Sequence, residues 1–289
     1  MITQRFAPSP TGPLHLGHAF SALTAHDRAH AAGGRFLLRI EDIDRSRARK
    51  EWETQIYDDL SWLGLRWETP VLRQSDRLSA YRAALETLWA RGLIYVCTCR
   101  RRDIEAALAA PQEGTPLHGP DGLIYPGTCR PGAPVAGPMQ AGGVLRLDMR
   151  RAVALAGPLS WDETGIAPAS SATPDHMIHA VGDAVLARRE MGTSYHLSVV
   201  LDDAEQGVSD VTRGVDLADA TAIHVLLQKL LDLPTPRYHH HRLIRDEAGK
   251  RLAKRDDARA IRKYRQDGAS PQDIRAMVGL GGAARSDPM

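Results

Sequence analysis

The sequence predicts an α/β protein whose core is a parallel sheet with crossover helices. Two observations carry that expectation. Strand-like apolar runs alternate with helical patterns through the N-terminal third, as parallel βαβ units require. The acidic cluster Glu41-Asp42-Ile43-Asp44 directly follows the apolar strand Phe36 to Ile40. Ligands of such sheets sit at the carboxyl ends of strands, which is where Ser9 and Glu41 fall. At 289 residues the chain can bury one large core or two modest ones.

Along the chain, an early strand leads through a Pro/Gly turn into a helix that ends near Gly33-Gly34. Helical patterns follow around Trp52 to Leu63 and Leu78 to Arg91. From about Pro111 to Gly143 the text is rich in Pro and Gly with no helical period, and reads as an insertion held by something other than its own core. Strand-like text resumes at Val144-Leu145-Arg146-Leu147, and Ser198 to Leu201 reads as a buried strand. Ala218 to Leu231 has the spacing of an amphipathic helix. Ser270-Pro271 is a helix start, with Ser270 as cap and Pro271 at the first helical position. The tail Gly281 to Met289 is expected to be disordered.

Composition narrows the class. The net charge is +2, which permits nucleic-acid binding without arguing for it. Basic clusters occur at Arg100-Arg101-Arg102 and from Arg251 to Arg265, each read equally well as a solvated face. No apolar run is long enough to span a bilayer, and no secretory leader is visible, so a cytoplasmic location is expected. The three cysteines, Cys97, Cys99 and Cys129, argue against a disulfide framework and crowd into one short stretch. Cys97-x-Cys99 followed by Tyr125-x-x-x-Cys129 has the form of a small closed metal site, because soft thiolates suit zinc and a poorly cored insertion gains most from a metal clip. Three buried free thiols are the plainer alternative.

Two segments far apart read as one active site. The first is Arg5-Phe6-Ala7-Pro8-Ser9-Pro10-Thr11-Gly12-Pro13-Leu14-His15-Leu16-Gly17-His18. Gly17 allows close backbone approach to a ligand, a helix N-terminus attracts anions, and His15 and His18 share one side of the first turn. The second, Gly249-Lys250-Arg251-Leu252-Ala253-Lys254-Arg255, brings cations to the same anion. Together they suggest a site for ATP phosphates suited to adenylyl transfer.

These segments resemble the His-x-Gly-His and Lys-Met-Ser-Lys-Ser signatures of class I aminoacyl-tRNA synthetases, and Arg-Phe-Ala-Pro-Ser-Pro-Thr-Gly is similar to the glutamyl branch. Arg39-Ile40-Glu41-Asp42-Ile43-Asp44, Tyr195 to Asp203, and Gly207-Val208 through Arg213-Gly214 extend the resemblance in the same order. It implies a Rossmann-type catalytic domain over 1–96 and 181–240. An inserted zinc-binding, acceptor-type subdomain would occupy 97–180, and the signature loop with a short helical remnant 241–289. It implies His15, His18 and Lys254 as catalytic residues, with Gly17 joining them around ATP. It assigns L-glutamate to Arg5, Ala7, Ser9, Glu41, Tyr195 and Arg213. Guanidinium groups suit the side-chain carboxylate, and a neutral amide there would leave a buried cation unpaired. The plainer reading of Arg213 is a surface ion pair with Asp210 or Asp216.

One structural Zn2+ is implied, on Cys97, Cys99, Cys129 and Tyr125, with His118 the rival for the fourth place. ATP is expected as substrate with Mg2+. Ala253 stands where the family has Ser, removing a hydroxyl that would steady the loop, and Arg251 replaces the first Lys. The glutamyl branch continues into an anticodon-reading region, of which only a short remnant is expected here. Asp202 to Val208 is most similar to a truncated paralogue. That paralogue activates glutamate without tRNA and transfers it to queuosine at the wobble position of tRNA(Asp). The resemblance thus implies a monomeric tRNA-modifying ligase that contacts the anticodon loop and no membrane. The rival readings are a glutamyl-tRNA synthetase charging the tRNA 3′ terminus, and a small-molecule adenylyltransferase.

Overall fold

The computed structural model describes residues 1–108, 117–140, 142–244 and 259–281. The second signature segment, with Arg251, Ala253 and Lys254, lies outside the described residues, as do 111–116 of the Pro/Gly-rich stretch and the tail from 282. The elements begin with β1 (Thr3–Phe6), α1 (Leu16–Ala31), β2 (Arg35–Ile40), α2 (Lys50–Trp62), β3 (Glu68–Arg73) and α3 (Leu78–Ala90). Next come β4 (Ile94–Cys97), α4 (Arg101–Leu108), β5 (Val144–Leu147), α5 (Met149–Ala156) and β6 (Val185–Ala187). The chain continues with α6 (Tyr195–Glu205), β7 (Asp210–Gly214), α7 (Thr221–Leu230), β8 (Arg237–His241), α8 (Ile261–Gln266) and α9 (Pro271–Met277). Among the described residues no helix is long and apolar enough to cross a membrane.

Two compact units result: Met1–Arg73 with Ser209–Val215 and His239–Met289, and Gln74–Val208 with Asp216–Tyr238. This division by compactness is drawn differently from the one the sequence suggests. In the first unit β1, β2 and β3 form a parallel sheet, with Phe6 opposite Leu38 and Ile40 opposite Arg73. The alanines of α1 (Ala19, Ala22, Ala25 and Ala29) have no exposed surface, and small side chains let a helix sit close on a sheet. Its core also takes in Leu23, Phe36, Leu38 and Ile56, with Ile261 and Ile274 from the C-terminal helices. Gly34 immediately precedes β2, where a Cβ would lie 2.2 Å from the Ile2 carbonyl oxygen. Ser270 and Asp273 form a reciprocal capping box at α9, with Pro271 at its start.

The second unit carries an antiparallel sheet ordered β6-β5-β4, with Ile94 opposite Leu147 and Cys97 opposite Val144. Here one expectation fails. Ser198 to Leu201 is not a strand but part of α6, capped by the Ser194 hydroxyl. Burial on nearly every side of α6 removes the polar stripe that would reveal a helical period, so its run of Val and Leu reads as a strand. Ala218 to Leu231 is a 3₁₀ turn, Val215–Ala220, running into α7. Asp202 of α6 is fully buried and accepts from Gln74 Nε2 (2.9 Å), Arg77 Nε (2.8 Å) and the Tyr81 hydroxyl (2.8 Å). The Pro/Gly-rich stretch has little core: Tyr95, Cys97 and Tyr125 are its buried cluster.

One buried acid is poorly satisfied. Asp59 of α2 has no exposed surface, and its Oδ1 lacks a hydrogen-bond partner among the described residues. Burial, aided by neighbouring Asp58, pushes its carboxyl up to about 6. The folded chain therefore holds a proton that the unfolded chain has released between about pH 4 and 6, and stability falls as pH rises through that window. The difference amounts to about 3 kcal/mol. Asp59→Asn is expected to raise the unfolding midpoint at pH 7.5 by several degrees and much less at pH 4.5. Thermal melts at the two pH values check this, and equal destabilisation at both would contradict it.

Candidate active site

The turn after β1 feeds directly into α1, and the cap of that helix is built from two histidines. His15 is the N-cap residue. Its Nδ1 accepts from the Gly17 N–H (3.1 Å), and its own N–H donates to His18 Nδ1 (3.1 Å). The ring centroids are 3.8 Å apart. This is a capping box in which imidazoles take the places usually held by a hydroxyl and a carboxylate. A neutral imidazole accepting at Nδ1 carries its proton on Nε2, so both rings act as donors at Nε2. A Cβ on Gly17 would lie 3.0 Å from His15 Cε1 and 3.1 Å from its Nδ1. Glycine there spares the His15 ring a tight contact that would shift it, a reason different from the ligand approach suggested by the sequence. The Ile261 N–H donates to the Leu14 carbonyl (2.9 Å), and Ala260 bridges His15. The chain that follows residue 258 therefore docks beside the first signature.

The remaining front-end residues lie where parallel strands end. Ala7 is half-buried and Ser9 exposed just past β1, and the Glu41 N–H past β2 donates to the Pro8 carbonyl (3.1 Å), tying the two strand ends together. The Glu41 carboxylate pairs with Arg39 at 3.2 Å, their side chains 9% and 0% exposed. Arg5 in β1 is buried. β7 runs alongside β1: the Ser209 N–H donates to the Thr3 carbonyl (3.1 Å), and the Thr3 N–H to Ser209 Oγ (2.9 Å). Arg213 in β7 is 5% exposed and its Nε donates to His240 Nε2 (3.1 Å), so it is not part of a surface pair. The first unit thus gathers His15, Gly17, His18, Arg5, Ala7, Ser9, Glu41 and Arg213. Tyr195 belongs to the second unit, in the first turn of α6, with its ring 5.6 Å from His224. Arg39 and His240 escaped the sequence reading. A charge inside an otherwise apolar strand, and the run His239-His240-His241, were the signals for them.

The cysteine group closes around Tyr125. The Sγ atoms of Cys97, Cys99 and Cys129 lie within 4.8 Å of one another and could hold a metal ion. The Tyr125 hydroxyl oxygen is 3.3 Å from Cys97 Sγ and 3.4 Å from Cys99 Sγ, and accepts from the Cys129 N–H at 2.7 Å. His118 is exposed and stands outside this group. Burial opposes ionisation of Cys129, but hydrogen bonding from the Tyr125 hydroxyl and the Thr98 backbone lowers its thiol to about 6. Cys99 is shifted the other way, chiefly by burial. The donor set is soft and converging, with Cys97 and Tyr125 buried and Cys99 and Cys129 half-buried, which fits a structural zinc. Its setting is anchored to the core: the Arg146 guanidinium stacks on the Tyr125 ring at 4.0 Å, and Arg130 Nε binds buried Asp183 at 2.7 Å. Asp183 also takes the Met149 N–H (3.0 Å) and the Tyr95 hydroxyl. The neighbouring arginine run is locally neutralised, since Arg101 pairs with Glu105 (2.8 Å) and Arg102 with Asp103 (3.7 Å).

Residues 1–116 and 171–287 match the model of the catalytic domain of class I tRNA synthetases (E and Q). The chain is 67% identical, over 97% of its length and 100% of the relative's, to a glutamyl-Q tRNA(Asp) synthetase of Rhodobacter capsulatus. A glutamyl-Q tRNA(Asp) synthetase of Deinococcus radiodurans is 40% identical over 95% of this chain and 87% of its own. Among solved structures, the glutamate tRNA ligase from Elizabethkingia meningosepticum, in complex with its amino acid, matches with a TM-score of 0.75 and 25% identity. That match takes in 99% of this chain but 61% of the ligase. The sheet, the histidine cap and the full-length likeness converge: the chain belongs to the class I tRNA synthetases of the E and Q type, within the glutamyl-Q tRNA(Asp) synthetases.

Proposed function

We propose that this enzyme activates L-glutamate with ATP and transfers it to queuosine at the wobble position of tRNA(Asp), in the cytoplasm and as a single chain. The observation that carries this reading is the end-to-end identity of 67% with a glutamyl-Q tRNA(Asp) synthetase. Charging of a tRNA 3′ terminus has less support, because the glutamate tRNA ligase resembles this chain over only 61% of its own length.

In the first step the α-carboxylate of glutamate attacks the α-phosphorus of ATP, and pyrophosphate leaves with the electron pair of the broken P–O bond. Charge builds on phosphate oxygens, so positioning and fixed donors do most of the work. His15 and His18 supply such donors from Nε2, at a helix N-terminus that favours anions. Lys254 lies outside the described residues. By the family pattern it neutralises the departing phosphates, with Mg2+ as their counter-ion. Glu41 and Ser9, with the backbone of Ala7, receive the substrate ammonium. Arg5 and Arg213 take the side-chain carboxylate, and Tyr195 is added to them on the family pattern alone. In the second step a hydroxyl of the acceptor nucleoside attacks the activated carbonyl, and AMP leaves as the ester forms. A Zn2+ on Cys97, Cys99, Cys129 and Tyr125 would supply cross-linking of a poorly cored segment and no chemistry.

Incubation with labelled glutamate, ATP and queuosine-bearing tRNA(Asp) is expected to give alkali-labile labelled tRNA. Acceptance of tRNA(Glu) in its place would overturn the reading. Arg213→Ala is expected to lower glutamate-dependent pyrophosphate exchange by at least about 30-fold, as loss of one partner of a buried charge pair does. Unchanged exchange would remove Arg213 from the site. Metal analysis of the purified protein is expected to find about one zinc per chain, falling sharply in Cys129→Ser with a lower unfolding midpoint. Equal zinc in both proteins would contradict the assignment.

A further inference from the structure

A cavity of about 250 Å³ lies within the second unit, lined by the apolar Val185, Leu217 and Ala220 and by Asp121, Arg188, Tyr195 and His196. None of its charged residues belongs to the adenylate chemistry. The polar wall is built rather than incidental. Asp121 Oδ2 accepts the Val185 N–H at 3.0 Å, Oδ1 faces His196 Nε2 at 3.6 Å, and His196 Nδ1 meets His224 Nε2 at 3.1 Å. Both imidazoles are almost fully buried. This chain of contacts fixes the carboxylate at the cavity wall. Burial works against its ionisation, but His196 and the Val185 amide outweigh that and hold Asp121 below the usual carboxylate range.

The lining restricts the ligand. An anion would meet the Asp121 carboxylate, a simple cation would meet Arg188, and an apolar group would leave both without water. A neutral polyol avoids all three conflicts. A carboxylate has about four acceptor positions, and the two protein contacts leave room for two adjacent hydroxyls. The volume falls short of the about 300 Å³ at which drug-sized sites begin, and suits one small ring. Within a tRNA chain each ribose has its 3′ oxygen in a phosphodiester. A vicinal diol is therefore available only on a modified base or at the 3′-terminal ribose.

We propose that this cavity binds the vicinal cis-diol of the acceptor nucleoside, with the Asp121 carboxylate accepting from the hydroxyls and Arg188 closing the rim. The proposal rests on the transfer activity given above and adds the residues that recognise the acceptor. Tyr195, which the family pattern assigns to the amino acid, also lines this cavity.

The test uses the full-length enzyme and three probes: queuine, which carries a cyclopentenediol and no ribose; 7-aminomethyl-7-deazaguanine, which lacks that ring; and adenosine, whose diol is on ribose. Ligand-observed NMR titration gives the affinities. Queuine is expected to bind the wild type at least about tenfold more tightly than 7-aminomethyl-7-deazaguanine, and Asp121→Asn to erase that preference. Tighter binding of adenosine than queuine, erased by the same substitution, would keep the diol subsite but assign it to a terminal ribose. Equal binding of all three probes, or a queuine preference that survives in Asp121→Asn, would overturn the proposal. In the transfer assay, Asp121→Asn is expected to raise KM for queuosine-bearing tRNA(Asp) by about ten- to a hundredfold. The exposed Arg188→Gln should show a smaller rise, and serves if Asp121→Asn does not fold. Wild-type failure to modify tRNA(Asp) would count against the transfer activity itself, while the probe affinities still decide the subsite.

Discussion

The site depends on how one helix begins. Four N–H groups at the start of α1 need acceptors, and His15 and His18 supply imidazole nitrogens to two of them, those of Gly17 and His15, where a serine or aspartate would be usual. The choice has two consequences. Each ring is tied down at Nδ1, so the proton sits on Nε2 and the donor side of each ring is fixed. Glycine at position 17 also leaves the His15 ring in place, because a methyl there would lie 3.0 Å from its Cε1 and push it aside. The same turn is held by the end of β1 on one side and by the Ile261–Leu14 hydrogen bond on the other. A fixed donor pair costs no reorganisation when phosphate charge develops, which is the basis of electrostatic catalysis.

Buried carboxylates organise the second unit in a comparable way. Asp202 gathers Gln74, Arg77 and Tyr81, and Asp183 gathers Tyr95, Arg130 and the start of α5. Removing the arginine from such a hub leaves the buried carboxylate without its counter-charge, which costs about 3–5 kcal/mol. Asp183 also links that core to the cysteine group, since Arg130 follows Cys129 directly. A segment with little apolar core is thus fastened at two points, by a converging thiol set and by an ion pair.

The helix cap and the strand ends of the candidate site could be anticipated from sequence because their information is short-range. His15, Gly17 and His18 act within a single helical turn, and Glu41 follows its strand in the next position. The closeness of the three cysteines likewise follows from their crowding in the sequence, whereas Tyr125 was named through the family resemblance. What escaped the sequence depends on distant partners or on missing periodicity. His240 meets Arg213 across 27 positions and Asp183 meets Tyr95 across 88, and no local pattern marks either pair. α6 was misread because a helix buried all round looks like a strand over four residues. β3 was not foreseen: Glu68–Arg73 contains a proline and has no alternation of apolar and polar positions. The geometry of the lysine signature belongs to residues outside those described.

The central claim is that the two histidines hold ATP phosphates through Nε2. Nitrogen-15 NMR of the histidine rings, with and without a non-hydrolysable glutamyl-adenylate analogue, tests it most directly. The account predicts neutral rings protonated at Nε2 for both His15 and His18, with the Nε2 resonances of these two moving when the analogue binds. Protonation at Nδ1, or analogue binding that leaves both rings unperturbed, would contradict it.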